Sequence, residues 1–576
     1  MAGRNVLRAL VVTGVLLVIA LMGAACGAAE EPTKAPTVVA SPTPVPPTAT
    51  PAPPQPKYGG IAIFSQRGDP PGWDPMVSAA DLGEPTMMTN GAGGLTIACR
   101  KSQTQICPHL AESWESNSDF TQWTFKIRDG VLWQDGTPFT AEDAKWWLEL
   151  AVKGVPPERA PARYAATLGD VKTVEVLSGN RMRVTLNRPM GAYPSVFSDP
   201  GNTHIAHPRH LMQPAIEKGN PKVAPNEVGW VGIGPYKVLK YEKAVIIQLR
   251  KFDRYWEKDA QGRQLPFVDG IDLVIQTDAS AMVAAFRAGR LDRTSPYSGR
   301  YIAPEQKPIL EREMGDKMYI VDYPGYGTTA GWNTRRAPLN DVRVRQAISM
   351  WLDRQSLIDY LSGGFGVPVA VWQPGSSLAN PDVLQWPGWN TKTKAQDREK
   401  AKQILKDAGY PSGFKLSILT GERWVNRGEW LKGQLDGLLG EANVKIDVFD
   451  TATFLAKTCS GDFQIVNPLD SGVWARHSPE LLAGGYSSTN KCSYIQHDDK
   501  KVDDLFARIT ASGNLDERAK LAREVERYLS IEAWLALNLT KDSGYFVAFR
   551  SYMKGWDFPQ VIAPFNADYA TIWMDK

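Results

Sequence analysis

The chain has 576 residues, of which 43% are hydrophobic and 22% are charged. This length is too great for a single compact core and predicts two to four domains, and the composition is that of an ordinary globular protein. The formal net charge of +3 is small for this size, so a nucleic-acid partner is not expected. The 19 tryptophans are numerous, and because indole rings stack on flat ligands, some of them are candidate ligand contacts.

The amino terminus has the pattern of an export signal. Arg4 and Arg8 precede an apolar stretch over residues 9–25, which closes on Gly23-Ala24-Ala25-Cys26. This arrangement resembles a lipoprotein signal over residues 1–26, with Cys26 as the lipidated residue, although the usual pattern has Leu or a similar residue where Gly23 stands. The alternative is an uncleaved membrane anchor, since the apolar run is close to spanning length. Both interpretations put the folded body outside the cytoplasmic membrane.

Residues 27–57 are predicted to be a linker. They are rich in Pro, Thr, Ala and Val, a composition that cannot bury a core and stays extended. At ~3.1 Å per residue, such a linker could reach about 90 Å from the membrane surface.

Four cysteines remain once Cys26 is set aside, and an extracytoplasmic location favours their oxidation. Cys99 and Cys107 lie on either side of a polar turn, which predicts a local disulfide between them. By elimination, Cys459 and Cys492 would form a second disulfide. Buried free thiols are the alternative.

Residues 108–150 carry a dense set of structural signals. Their alternation of apolar and polar residues around Phe125 predicts a half-buried strand. Asp129-Gly130 then precedes an apolar run, which predicts a β-hairpin because a type I′ turn needs positive φ at both central residues. Thr140 and Asp143 predict the capping box of a helix. The apolar face of that helix is formed by residues at helical spacing, namely Ala144, Trp147, Leu148 and Ala151.

The same block resembles the signature region of the family 5 solute-binding proteins, which are the dipeptide-, oligopeptide- and nickel-binding components of bacterial ABC importers. The stretches LAESWE, WTFKIRDGV and DGTPFTAEDAK follow each other in the family's order and spacing. GIGPYK at residues 232–237 and the segment 332–354 extend the resemblance, which covers most of residues 58–576. It implies an α/β, two-lobed periplasmic-binding-protein-like (class II) fold with an inserted third domain.

The resemblance also implies a division of the folded body. The first lobe is expected to comprise residues 58–90 and 229–325, with an inserted small domain over residues 91–228. The second, larger lobe is expected over residues 326–534. A strand predicted at Trp534–Leu539 then returns the chain, so that residues 535–576 finish in the first lobe.

Histidines recur at intervals of three at His204, His207 and His210. Three such rings on one helix could bind a metal ion. However, Pro208 cannot lie inside a helix and favours the start of one, so the rings need not share a face. We therefore predict neither a metal site nor a cofactor.

Signatures of catalysis are missing from the sequence. It contains no G-x-S-x-G, H-E-x-x-H, C-x-x-C or G-x-G-x-x-G. The resemblance likewise implies binding without chemistry, so the chain is not expected to be an enzyme. A secreted hydrolase is the alternative class, and a receptor or chaperone-like module on the same scaffold is a third possibility.

The resemblance implies that two hinged lobes close on a solute. In peptide-binding members, an Asp in a Trp-rich loop of the large lobe holds the free amine of the ligand. That loop corresponds here to residues 469–480, and alignment on Pro479 puts Ala475 at the Asp position, with Asp470 nearby but out of register. Loss of this carboxylate disfavours a free-amine peptide. An anionic group could instead pair with Arg476, and a sugar could stack on tryptophan.

These considerations predict a set of ligand contacts, for which core packing or solvation is the structural alternative: Arg67, Trp73, Tyr326, Trp372, Trp424, Asp470, Trp474 and Arg476. The predicted solute is an oligopeptide-like or other small molecule, with an oligosaccharide or a nickel chelate as alternatives. The predicted partners are an ABC transporter permease and, through the lipid anchor, the membrane. The protein is expected to be a monomer at the outer face of the cell membrane.

Overall fold

Regular strands and helices account for most of the chain that the computed structural model describes. The described residues are 55–70, 72–77, 83–91, 94–99, 105–162, 164–198, 207–295, 302, 306–323, 327–364, 366–372, 376–471, 479, 486–490, 492–493, 495–542, 545–556 and 569–576. The predictions for Cys26 and for residues 27–54 of the linker lie outside them. Among the described residues, no helix has the length and hydrophobicity needed to span a bilayer.

The described strands form the sheets of both lobes and of the inserted domain. In chain order they are β1 Ile61–Gln66, β2 Thr96–Ala98, β3 Ile106–Pro108, β4 Ala111–Ser116, β5 Gln122–Ile127, β6 Val171–Leu177, β7 Arg181–Leu186, β8 Tyr236–Glu242, β9 Ile246–Lys251, β10 Gly270–Ile275, β11 Met318–Tyr323, β12 Gly327–Trp332, β13 Gly366–Val367, β14 Leu416–Gly421, β15 Val444–Phe449, β16 Ile465–Ser471, β17 Leu537–Asp542, β18 Tyr545–Arg550, β19 Met553–Lys554 and β20 Trp573–Met574.

The described residues also form α-helices. In chain order they are α1 Gly83–Asn90, α2 Ala141–Lys153, α3 Arg209–Glu217, α4 Ala279–Arg287, α5 Gln306–Met314, α6 Val342–Trp351, α7 Arg354–Ser362, α8 Lys394–Asp407, α9 Val425–Leu439, α10 Thr451–Ser460, α11 Lys500–Ala511 and α12 Leu515–Arg527.

The first lobe is built on a sheet of order β1-β10-β9-β8, in which β1 and β10 run parallel. Single bridges from Arg293 to Phe64 and to Phe549 join this sheet to the antiparallel pair β11-β18. Ala62 and Phe64 are buried on the face of β1 that packs into the lobe's core. The two ends of the folded chain therefore meet in one lobe.

A separate core holds the inserted domain. Its sheet has the order β4-β5-β7-β6, and α2 packs on it. The predicted face of α2 is confirmed, because its four apolar residues are all buried. The predicted capping box is also confirmed, since the Asp143 carboxylate accepts hydrogen bonds from the backbone N–H of Thr140 at 2.9 Å and from its hydroxyl at 2.8 Å.

The hairpin predicted at Asp129-Gly130 is wrong. Gly130 does have a positive φ of 78°, but β5 pairs with β4 and β7 and not with the residues after the turn. Residues 131–139 instead fold back on themselves, with a hydrogen bond from the N–H of Phe139 to the carbonyl of Val131 at 2.9 Å. β5 already has a partner on each edge, the preceding strand β4 on one side and the later strand β7 on the other, so no edge is left for the residues that follow the turn.

The large lobe is organised around a six-stranded sheet of order β13-β17-β12-β16-β14-β15. Its main hydrophobic core includes the apolar face of α6, which is formed by Val344, Ala347, Ile348 and Trp351. β17 pairs with β12 and β13 in this sheet, and Leu537 and Leu539 are buried in the same core. The next strand, β18, belongs to the first lobe. The change of lobe thus falls between residues 542 and 545, later than the boundary at 534/535 expected from the sequence, because the terminal strand continues to Asp542.

Both predicted disulfides are present. Cys99 and Cys107 are joined across the β2-β3 hairpin region, with a Cα–Cα distance of 5.1 Å. Cys459 at the end of α10 is joined to Cys492. The second bridge ties the segment after the predicted binding loop to the body of the large lobe.

Candidate functional site

Two short connections join the first lobe to the large lobe. Residues 324–326 link β11 to β12, and residues 543–544 link β17 to β18. Because β11 pairs with β18 in one lobe and β12 pairs with β17 in the other, the two connections start and end side by side. Adjacent short connections allow two lobes to move as rigid bodies about a hinge.

The strand directions bring particular strand ends to this hinge edge. β1 runs in the same direction as β11, so Gln66 and Tyr323 end at the same edge of the first lobe. In the large lobe, Gly327 pairs with Ser471, which puts the carboxyl end of β16 beside the start of β12. β14 is parallel to β16 and ends there at Gly421. The carboxyl ends of strands in open α/β sheets are the usual location of ligand sites.

The loops after these strand ends carry most of the predicted ligand contacts. Arg67 and Trp73 follow β1, and Trp424 follows β14. Asp470 is the penultimate residue of β16, where its backbone pairs with Thr328 of β12. The remaining contacts predicted at this edge lie outside the described residues, namely Tyr326, Trp474 and Arg476.

The loop after β1 is held against the first lobe by Asp69. The Asp69 carboxylate accepts hydrogen bonds from the hydroxyl of Tyr241 and from the backbone N–H of Ala244, both at 2.8 Å. Burial, together with the hydrogen bond and negative charge of Asp69, raises the pKa of Tyr241 to about 12. Asp69 is thus engaged within the protein, although it completes an Arg67-Gly68-Asp69 tripeptide.

Trp73, in the same loop, packs against aromatic residues from other segments. Its ring makes edge-to-face contacts with Trp230 and with Tyr241, each with a centroid separation of 5.4 Å. The ring is only partly buried, so one side remains accessible. Packing therefore fixes the position of this indole without covering it.

Asp74, the next residue, is buried beside the side chains of Arg159 and His207. Its carboxylate contacts His207 Nε2 at 2.8 Å, accepts the backbone N–H of Met76 at 2.9 Å, and forms an ion pair with the guanidinium of Arg159. Burial alone raises the pKa of Asp74, but the coulombic attraction and hydrogen bonding of His207, together with Arg159 and the Met76 N–H, lower it to about 2. Asp74 is therefore ionised at neutral pH.

Two of the spaced histidines serve different carboxylates. His207 Nε2 contacts Asp74, whereas His210 Nε2 lies 2.6 Å from Asp135. α3 begins at Arg209 with Pro208 as its N-cap, as predicted. His204 lies outside the described residues, and within them no group of His, Cys, Asp and Glu is arranged to hold a metal ion.

Trp372 and Trp424, two of the three large-lobe tryptophans predicted as contacts, lie in different hydrophobic clusters. Trp372 is 4% exposed, and its indole N–H donates to the carbonyl of Ala522 at 3.0 Å. Trp424 is partly buried, with its ring centroid 5.4 Å from that of Phe454. Trp424 is thus positioned to offer a ring surface at the hinge edge, while packing and a hydrogen bond account for the Trp372 indole.

Asn467 is a residue of interest that sequence reasoning missed. It lies in β16 near the hinge edge, is 0% exposed, and neither its amide nitrogen nor its amide oxygen has a hydrogen-bond partner in the described structure. A Cβ on Gly428 of α9 would come within 3.0 Å of its Nδ2, so the glycine makes room for the amide. An unpaired buried amide is costly and requires a physical reason. The sequence feature that could have identified Asn467 is its position as a polar residue within the apolar first part of β16, an interior strand of the sheet.

Comparison with known proteins adds a family and a fold. The family model for bacterial extracellular solute-binding proteins, family 5 Middle, matches residues 105–491. The periplasmic oligopeptide-binding protein OppA of Haemophilus influenzae is 26% identical over 493 residues, which cover 81% of this chain and 84% of that protein.

Solved structures share the architecture. The periplasmic binding protein DppA from Helicobacter pylori, in complex with the peptide STSA, matches with a TM-score of 0.70 at 20% identity, covering 90% of this chain and 99% of that one. AgaA from A. tumefaciens R10, in complex with agropinic acid, matches with a TM-score of 0.68 at 22% identity over the same shares of the two chains.

Proposed function

Because the chain belongs to family 5 of the bacterial extracellular solute-binding proteins of ABC importers, we propose that it captures an oligopeptide-like or other small solute between its two hinged lobes and delivers it to a transporter permease. Members of this family bind and transport solutes and are not enzymes. Family membership therefore argues against a secreted hydrolase. The α/β fold, with two lobes, is of the class II periplasmic-binding-protein type.

The observation that carries this proposal is that the chain passes between the lobes twice at neighbouring strand ends, since Tyr323 pairs with Tyr545 in the first lobe and Gly327 pairs with Lys541 in the large lobe. A solute at this edge would contact loops from both sheets, and only contacts made with both lobes at once favour a closed state over an open one. On this proposal Arg67 and Trp73 contribute from the first lobe, and Trp424 and Asn467 from the large lobe. We keep four further residues as proposed contacts, namely Tyr326, Asp470, Trp474 and Arg476. Trp372 is also kept as a proposed contact, although packing alone would explain its position.

The chemistry of these residues favours a solute with neutral hydrogen-bonding groups and a flat or apolar portion. The Asn467 amide offers one donor group and one acceptor, which suits an amide or hydroxyl on the solute. Indole rings suit a side chain or a sugar face. Ala475 at the expected Asp position argues against tight capture of a free amine, so an N-blocked or otherwise modified peptide fits better than a free one. An oligosaccharide and a nickel chelate remain the alternatives.

We also propose that the protein is anchored through Cys26 and acts as a monomer. The lipoprotein-like pattern at residues 23–26 and the linker over residues 27–57 support an anchor with a long tether. The proposed domains are those expected from the sequence, with the end of the large lobe moved to residue 542. Detergent partitioning of the Cys26→Ser variant tests the anchor, which is rejected if the variant stays in the membrane fraction.

Native mass spectrometry of freshly purified protein tests the binding function. A solute of defined mass should co-purify and be released intact on denaturation. A thermal-shift screen should then compare blocked and free peptides, oligosaccharides and Ni²⁺. A matching solute at ~100 times its dissociation constant should stabilise the protein by about 2.7 kcal/mol. Conversion of the solute during incubation, or the absence of any stabilising solute across all classes, would contradict the proposal.

A further inference from the structure

We propose that the inserted domain positions the first-lobe binding loop through Asp74, so that Asp74, Arg159 and His207 act as positioning residues for solute capture. This inference rests on the proposed function, because it assigns the inserted domain a part in binding. The loop concerned follows β1 and carries Arg67 and Trp73, and it is called the β1 loop below (residues 67–77).

The contacts that carry this inference come from three places in the inserted domain. The guanidinium of Arg159 pairs with Asp74 and also donates to the carbonyl of Val223 at 3.1 Å. His207 is 0% exposed and contacts the other carboxylate oxygen at 2.8 Å. Residues 159, 207 and 223 are far apart in sequence, so the Asp74 carboxylate is held only when the inserted domain has folded.

The β1 loop is held from its other side by the first lobe. Asp69 binds the β8-β9 hairpin through the Tyr241 hydroxyl and the Ala244 N–H. Trp73 lies between these two attachments and packs on Tyr241 and Trp230. The loop that carries the partly exposed Trp73 ring is thus attached at Asp69, before Trp73 in sequence, and at Asp74, after it. Only the attachment at Asp74 depends on the inserted domain.

Charge and burial make the Asp74 attachment difficult to replace. Asp74 and Arg159 are both nearly inaccessible to water, with side-chain exposures of 8% and 4%. A buried carboxylate and guanidinium stabilise each other, and loss of one partner leaves an uncompensated buried charge. If the loop holds its binding pose in only a tenth of the molecules, the apparent affinity falls about tenfold even though no residue in contact with the solute has changed.

The test combines local hydrogen exchange with occupancy by the co-purifying solute. The double variant Asp74→Asn/Arg159→Met removes both charges, and His207→Asn is a milder second variant in case the double variant fails to fold. Asp135→Asn is the matched control, because it breaks another His–carboxylate contact in the same domain, at His210, that does not involve the β1 loop.

We expect exchange in residues 67–77 to rise about tenfold or more in the Asp74 and His207 variants, with the melting temperature of the large lobe unchanged. The fraction of protein that carries the co-purifying solute in native mass spectra should fall in the same variants and stay at the wild-type level in Asp135→Asn. Wild-type exchange in the β1 loop and wild-type occupancy in both variants would overturn the inference. If wild-type protein carries no solute and no solute in the thermal-shift screen stabilises it, the proposed function fails, and hydrogen exchange alone decides whether the inserted domain holds the loop.

Discussion

The carboxylate of Glu526 accepts a hydrogen bond from the backbone N–H of Trp372 at 2.8 Å. It also accepts from the backbone N–H of Val371 at 3.0 Å and of Asn380 at 2.6 Å. Burial raises the pKa of Glu526, and these hydrogen bonds act in the opposite direction. One side chain of α12 thus organises the segment that contains the predicted contact Trp372.

Replacing Glu526 with Ala should therefore destabilise the large lobe. The variant leaves the buried N–H of Trp372 without an acceptor, at a cost of about 1–3 kcal/mol before relaxation, and the partly buried N–H groups of Val371 and Asn380 add less because water can reach them. The free energy of unfolding is measured by urea titration, with tryptophan fluorescence as the probe. Glu524→Ala, an exposed position on the same helix, is the control and should change the free energy of unfolding by less than about 0.5 kcal/mol. Equal effects at the two positions would show that the Glu526 hydrogen bonds contribute nothing.

Local patterns were sufficient to predict the elements in which one face alone decides the structure. The face of α2 repeats at helical spacing and the strand around Phe125 alternates, so both were predicted and are confirmed. The turn at Asp129-Gly130 was misinterpreted because β5 pairs with the preceding strand β4 and with β7, which comes from much later in the chain. A local signal cannot report which strand occupies an edge.

The site could be predicted only at the level of loops. The resemblance to the family identified the loop after β1 and the loop after β16, and the strand directions bring both to the hinge edge. Individual roles could not be read from residue type, because Trp372 and Trp424 look alike in sequence but differ in burial. The Asp74–Arg159 pair joins residues that are far apart in sequence, and Asn467 stands out only because its buried amide has no partner in the described structure. Composition and spacing reveal neither feature.

The stability of the protein in acid should depend on Asp74. Its pKa of about 2 in the folded protein is below the ordinary value of 3.8, so the ionised carboxylate stabilises the fold above about pH 4 and this contribution is lost as the pH falls toward 2. The loss should amount to about 2 kcal/mol. Urea unfolding from pH 2 to pH 7 measures it. The slope should be smaller in Asp74→Asn and unchanged in Asp253→Asn, whose carboxylate is exposed. A wild-type slope in Asp74→Asn would contradict this prediction.

The two disulfides should contribute unequally to stability. Cys459 and Cys492 are 33 residues apart, whereas Cys99 and Cys107 are 8 apart. Closing the longer loop restricts the unfolded chain more, so the loop-entropy model gives about 4 kcal/mol for the first bridge against about 2.5 kcal/mol for the second. Paired Cys→Ser variants, compared by urea unfolding under non-reducing conditions, test this order. A larger loss from removal of Cys99–Cys107 would show that native-state effects outweigh chain entropy.

Asn467 should show opposite effects on stability and on binding. Its amide is buried and unpaired in the described structure. Because leucine is close to asparagine in shape, Asn467→Leu should leave the free energy of unfolding unchanged or raise it by up to about 1 kcal/mol. The same substitution should lower occupancy by the co-purifying solute. Asn333→Leu is the control, because Asn333 is equally buried but paired: its Nδ2 donates to the carbonyl of Gly461 at 2.9 Å, and its Oδ1 accepts the N–H of Arg335 at 3.0 Å. That substitution should destabilise the lobe. Unfolding in urea and native mass spectrometry measure the two effects, and a destabilised Asn467→Leu variant with full occupancy would show that the amide serves the fold and not the solute.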